Sequence, residues 1–103
     1  MRSNIKIIHL RRMASRRQGR RCYYCKRAMG STPQLRCTAE HLVARSENGC
    51  DSIANIVAAC KFCNAMRHRG YGHLLPDEYA VAVRTFVSIQ QWHERHPAWE
   101  SLA

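Results

Sequence analysis

Four cysteines fall into two CxxC pairs, Cys22 with Cys25 and Cys60 with Cys63, with thirty-four residues between the pairs. Two residues between thiolates let one chain reversal bring both sulfurs to a single ion, and zinc takes four such ligands in a tetrahedron at about 2.3 Å. Four thiolates leave no open coordination position, so the expected zinc is structural. Between and just behind the pairs stand Glu40-His41, Asn55 and Asn64, the last directly after Cys63. A neutral imidazole takes a proton from water near neutral pH, which suits His41 to the role of general base. The Glu40 carboxylate and the Asn64 carbonyl are hard oxygen donors of the kind that hold Mg²⁺ or Mn²⁺, ions that keep waters and accept phosphate oxygens. A base, charge neutralisation and help for a leaving oxygen are what phosphodiester hydrolysis needs.

The charge distribution points to the same class of substrate. The chain has 103 residues and a formal charge of +10. Residues 1–39 hold eleven Lys or Arg and no acid, whereas residues 40–103 hold six basic and seven acidic residues. Arginine outnumbers lysine fourteen to three, and a guanidinium grips phosphate through paired hydrogen bonds that an ammonium cannot make. DNA is the expected partner, with Arg11, Arg12, Arg16, Arg17, Arg20, Arg21 and Arg67 as candidate contacts, because phosphate neutralisation releases condensed counterions. A merely solvated basic face and an Arg-rich, acid-poor organellar transit peptide are the alternatives, the second set against the closeness of Cys22. No apolar run is long enough to span a membrane, and the paired rather than scattered cysteines favour reduced thiolates in a cytoplasmic, reducing compartment over a disulfide scaffold.

One domain over residues 1–103 must position these groups, and a core this small benefits from a metal staple. The expected parts are a basic segment over 1–21, a motif core over about 20–70 and a C-terminal helix over about 77–96. Residues 4–13 are read as a helix that Gly19 could end. A strand is expected over 35–41 and a second over 53–59, antiparallel to it, joined by a polar, turn-rich loop. A short helix follows over 61–68, then a break at Gly70, Gly72 and Pro76. In the C-terminal helix Tyr79, Val83, Phe86, Val87 and Gln90 share a face. Cys37 and Cys50 read as small buried hydrophobes, and Tyr23 and Tyr24 as packing residues.

In order, spacing and residue type, Cys22 to Cys25, Glu40-His41, Gly49, Asn55-Ile56, Cys60 to Cys63, Asn64 and Arg67 resemble the HNH nuclease family in its four-cysteine branch. The resemblance covers about half the chain. It implies an α+β architecture, the small ββα-metal (His-Me finger) fold with a structural four-cysteine zinc site and flanking helices. It also implies that Asn55 fixes the loop after the histidine by bonding its backbone, and that His68, four residues after Asn64, joins Glu40 and Asn64 around a catalytic Mg²⁺ or Mn²⁺. Departures from the family pattern are Glu40 in place of the commoner aspartate, Ala44 in place of proline and Gly49-Cys50 in place of a glycine pair. The implied activity is metal-dependent DNA cleavage. A non-catalytic zinc-ribbon that only binds nucleic acid is the rival, and an accessory nuclease acting within a phage packaging or restriction complex is the third reading.

Overall fold

The computed structural model describes residues 4–102; the first three residues of the basic segment, and Ala103, lie outside it. Helix α1 spans Asn4–Arg17, strands β1 and β2 span Cys37–His41 and Ile56–Cys60, and helices α2 and α3 span Lys61–Gly70 and Pro76–Ser88. The strands form a two-stranded antiparallel sheet in which Cys37 pairs with Cys60 and His41 with Ile56. With α2 following β2 directly, this is the ββα unit expected from the motif.

Helix α1 runs a turn past the expected 4–13. It stops where Gly19 takes a left-handed conformation (φ 65°) and the Arg20 amide reaches back to the Ser15 carbonyl at 2.7 Å, a glycine-dependent helix stop. Leu10 and Ala14 are the buried positions of its inner face. Alternation along β1 sends Cys37 toward Ser15 of α1, while Thr38 and Glu40 meet Asn64, Arg67 and His68 of α2. Helices thus cover both faces of the hairpin. Every residue of β2 is buried as a result, unlike the one-sided strands of a sheet that faces water. The free edge of β2 is closed by Gln18, whose side-chain amide accepts from the Ala58 N–H at 3.0 Å and donates to the Ala58 carbonyl at 2.8 Å, imitating a neighbouring strand.

Three expectations are corrected. Both strands begin later than read: Pro33–Leu35 forms a single helical turn before β1, and the Ser52 carbonyl accepts from the Asn55 and Ile56 amides, so β2 starts only at Ile56. Cys50 is exposed and Cys37 half-buried. The third correction is the largest. Helix α3 ends at Ser88 instead of running to His96, because Gln90 turns left-handed (φ 57°) and the Gln91 amide closes onto the Phe86 carbonyl at 2.9 Å. The reversal lets Trp92 return to the core, 3% exposed, where it stacks on Phe86 with ring centroids 5.5 Å apart and meets Phe62 edge-on at 5.1 Å. Gln90 is therefore exposed past the helix end, while Tyr79 and Val83 keep the buried stripe.

Candidate active site

The four expected zinc ligands come together. The sulfurs of Cys22, Cys25, Cys60 and Cys63 lie within 4.8 Å of one another, all buried, and a zinc tetrahedron requires sulfurs about 3.8 Å apart. Among the described residues this is the one group of three or more His, Cys, Asp or Glu donors of metal-binding geometry. N–H groups point at the sulfurs as they do at thiolates. The Tyr24 and Cys60 amides donate to Cys22 Sγ at 3.4 and 3.3 Å, the Cys63 amide to Cys60 Sγ at 3.4 Å and Trp92 Nε1 to Cys63 Sγ at 3.4 Å. His93 is buried beside the cage and helps hold the Cys25 thiol down. Without a cation the cage resists full ionisation: burial, then bonding to Cys22, pushes the Cys63 thiol up, while bonding to Cys22 holds the Cys25 thiol down. A divalent ion removes that conflict. The donor set fits zinc.

At the other end of the hairpin, Glu40 and His41 both border a cleft of about 490 Å³ whose walls include Asn64, His68, Arg45 and Arg67. Neighbours in a strand point to opposite faces, but His41 is the last residue of β1, and both residues line the same cleft there. Glu40 is 2% exposed. Its Oε2 accepts from the Tyr24 hydroxyl at 3.3 Å and is paired with Arg67 Nη1 at 3.2 Å; its Oε1 lies 3.3 Å from His68 Nε2. Burial and the Glu40 charge push the Tyr24 phenol up, so Tyr24 stays a donor. One oxygen is thus committed to Tyr24 and Arg67 and the other faces an imidazole nitrogen. Asn64 donates through Nδ2 to the Thr38 hydroxyl at 3.0 Å and the Ala39 carbonyl at 3.4 Å, which ties its amide to β1 at the cleft wall.

His41 is held by the loop over 42–55. Its Nε2 lies 2.8 Å from Asp51 Oδ1, and Asp51 in turn accepts from Arg45 Nε at 3.3 Å. Asn55 laces that loop. It accepts from the Val43 amide at 2.8 Å and donates to the Val43 and Cys50 carbonyls at 3.0 and 2.9 Å. Gly49 packs so closely that a Cβ there would collide with the Val43 carbonyl, so the loop needs a glycine at this point.

The seven candidate DNA contacts divide. Arg11, Arg12, Arg16 and Arg20 line a second cleft on α1 together with Ser15 and Cys37. Arg17 and Arg21 are exposed, but each donates to a backbone carbonyl, Ile53 at 3.3 Å and Lys26 at 3.2 Å. Arg67 is not on the surface: it is 9% exposed and bonds the His41 carbonyl at 3.3 Å besides Glu40. Its position one helical turn after Cys63 and Asn64 turns it toward β1. Asp51 and Tyr24 were missed as site residues. The only hints are that Asp51 is the one aspartate in the loop between the histidine and Asn55, and that Tyr24 adjoins a zinc ligand.

Residues 22–70, from the first cysteine of the cage to the end of α2, match the family model described as HNH endonuclease. No curated protein matches the chain.

Proposed function

Because residues 22–70 belong to the HNH endonuclease family, in the branch that carries a four-cysteine metal cage, we propose that this chain is a DNA endonuclease with His41 as general base. The observation that carries the reading is that His41 opens on the same cleft as the Glu40–His68 pair. The proposed base and two proposed cation donors thus border one cleft. A bare zinc-ribbon has no use for either.

Glu40 Oε1, His68 Nε2 and the Asn64 oxygen would be the donors for Mg²⁺ or Mn²⁺, which would keep its remaining positions for water and phosphate oxygen. Bound there, such an ion would supply charge neutralisation for the phosphoryl group and the departing oxygen. Arg67 and Tyr24 hold the other Glu40 oxygen and so fix which oxygen is offered. His41 accepts a proton from the attacking water through Nδ1, since Nε2 faces Asp51. The water oxygen bonds to phosphorus, the bond to the 3′ oxygen breaks, that oxygen takes a proton from solvent water, and the products carry 5′-phosphate and 3′-hydroxyl ends. Asn55 keeps the loop around His41 in place without touching the reaction.

The arginines that line the cleft beside α1 supply the grip on the backbone. Replacing Arg11, Arg12, Arg16 and Arg20 by Ala is expected to weaken binding on all DNA sequences and to flatten its log–log salt dependence by up to about 0.9 per lost phosphate contact. The decisive assay for the reaction is nicking of supercoiled plasmid with and without Mg²⁺ or Mn²⁺. His41→Ala is expected to keep zinc, fold and DNA affinity while losing cleavage by about 10²–10⁴-fold. Wild type that cuts under no divalent ion, or His41→Ala that cuts equally well, would transfer the protein to the class of silent nucleic-acid binders.

A further inference from the structure

The loop over 42–55 carries a carboxylate that the family motif does not name. Asp51 Oδ1 sits 2.8 Å from His41 Nε2, with the Asp51 side chain 8% and the His41 side chain 17% exposed. Both partners are shielded, so the contact is not one of the solvent-screened surface pairs that contribute little. Arg45 braces it as well, Nε to Oδ1 at 3.3 Å and Nη2 to Oδ2 at 3.5 Å. The backbone carbonyl immediately before Asp51, that of Cys50, is held by Asn55 at 2.9 Å. A line of contacts therefore runs from Asn55 through the Cys50–Asp51 backbone to the imidazole.

We infer that Asp51 is the positioning residue of the proposed nuclease reaction, fixing the ring of His41 and placing its proton on Nε2 so that Nδ1 carries the free lone pair. The chemistry follows from the donor and acceptor inventory. An ionised carboxylate only accepts, so a neutral imidazole facing it must present N–H. That leaves Nδ1 as the single basic nitrogen. Asp51 does not border the cleft, so it acts through His41 and not on substrate. The inference rests on the proposed base role of His41 for its consequence, but the tautomer itself can be read without any activity.

Two measurements separate those levels. In the wild-type zinc-loaded protein, long-range ¹H–¹⁵N spectra above neutral pH are expected to show His41 with its proton on Nε2. A proton on Nδ1 would overturn the inference whether or not the protein cuts DNA. In Asp51→Asn the Arg45 donors compete for the one remaining oxygen and leave the amide NH₂ facing His41, so the proton is expected to move to Nδ1. Cleavage should then fall by about 10²–10⁴-fold through kcat, with zinc content and DNA affinity unchanged. Asp51→Ala, which offers neither donor nor acceptor, is expected to show mixed tautomers and a smaller loss than Asp51→Asn. If both variants keep the wild-type tautomer and rate, Asp51 is a loop-packing residue only. If wild type shows the expected tautomer yet never cuts, the positioning stands and the nuclease reading fails.

Discussion

At the Cys37–Cys60 end of the hairpin the donors are closed in: four sulfurs face one another, N–H groups cover them, and all four cysteines are buried. At the His41–Ile56 end, four residues and about 13 Å along the same strands, the donors are left half-committed. Glu40 has one oxygen tied to Tyr24 and Arg67 and the other turned to His68, whose side chain is 61% exposed. The same short sheet thus carries a saturated site and an open one. Saturation is what a structural ion needs, because its binding energy is then folding energy. An open carboxylate–imidazole pair is what the proposed catalytic ion needs, because it leaves room for water and substrate. The predictions that follow set the two ends against each other.

The largest effect belongs to the closed end. Purified protein is expected to carry about one zinc per chain, and Cys60→Ser or strong chelation to unfold it, since structural zinc sites carry about 10–16 kcal/mol of apparent binding energy at neutral pH. Circular dichroism with metal analysis reads this directly. A metal-free sample that stays folded would show that the cage is not the staple.

Next comes the open end, where the ion is expected to matter more for stability when a neighbour is removed. Arg67 is the cationic partner of buried Glu40, so Arg67→Met leaves a carboxylate uncompensated and is expected to cost about 3–5 kcal/mol. Mg²⁺ or Mn²⁺ should return part of that loss in Arg67→Met and much less in wild type, by the mass-action rule for a ligand that binds only the folded state. Melting curves with and without divalent ion test it. Equal shifts in both proteins would mean that the ion does not meet Glu40.

A smaller effect tests how the C-terminal turn serves the cage. Trp92→Phe keeps most of the ring packing against Phe62 and Phe86 but removes the Nε1–H bond to Cys63 Sγ. Bonds to charged acceptors contribute about 1.5–3 kcal/mol, so a melting temperature lower by several degrees and faster zinc release to a chelator are expected. Unchanged release would confine Trp92 to packing.

The two ends also differ in how far they could be read from the sequence. The cage ligands, Glu40-His41, Asn55 and Asn64 were legible because their chemistry is specific and their spacing is set locally, by two tight turns and one hairpin. What escaped depends on chain segments meeting from afar. Trp92 reaches Cys63 across 29 positions by means of a reversal at Gln90, a residue type that signals no helix stop. Arg67 looked like one more member of an arginine-rich surface until α2 packed on β1 and turned it onto Glu40. Tyr24 reads as packing until its hydroxyl meets Glu40 sixteen positions away. Each is a case where tertiary packing decides the outcome and propensity is silent.

The smallest effect concerns a pair at the rim of the closed end. Arg27 and Glu94 meet at 2.9 Å and join the first cysteine knuckle to the turn that carries Trp92 and His93. Their side chains are 40% and 52% exposed, so solvent screening limits the pair to about 0.2–1 kcal/mol. Hydrogen bonding to Arg27 holds the Glu94 carboxyl below its ordinary range. A carboxyl with a depressed folded-state pKa is bound by fewer protons in the folded than in the unfolded chain across that window, so its contribution is complete above the ordinary carboxylate range and is lost as pH falls through the lowered value. Glu94→Gln is therefore expected to destabilise slightly at neutral pH, and to match wild type once both carboxyl states are protonated in acid or the pair is screened in molar salt. Zinc affinity should not change, because the pair touches no sulfur. A loss well above 1 kcal/mol, or one that persists in molar salt, would mean that the rim is part of the cage and that the closed end extends farther than its four cysteines.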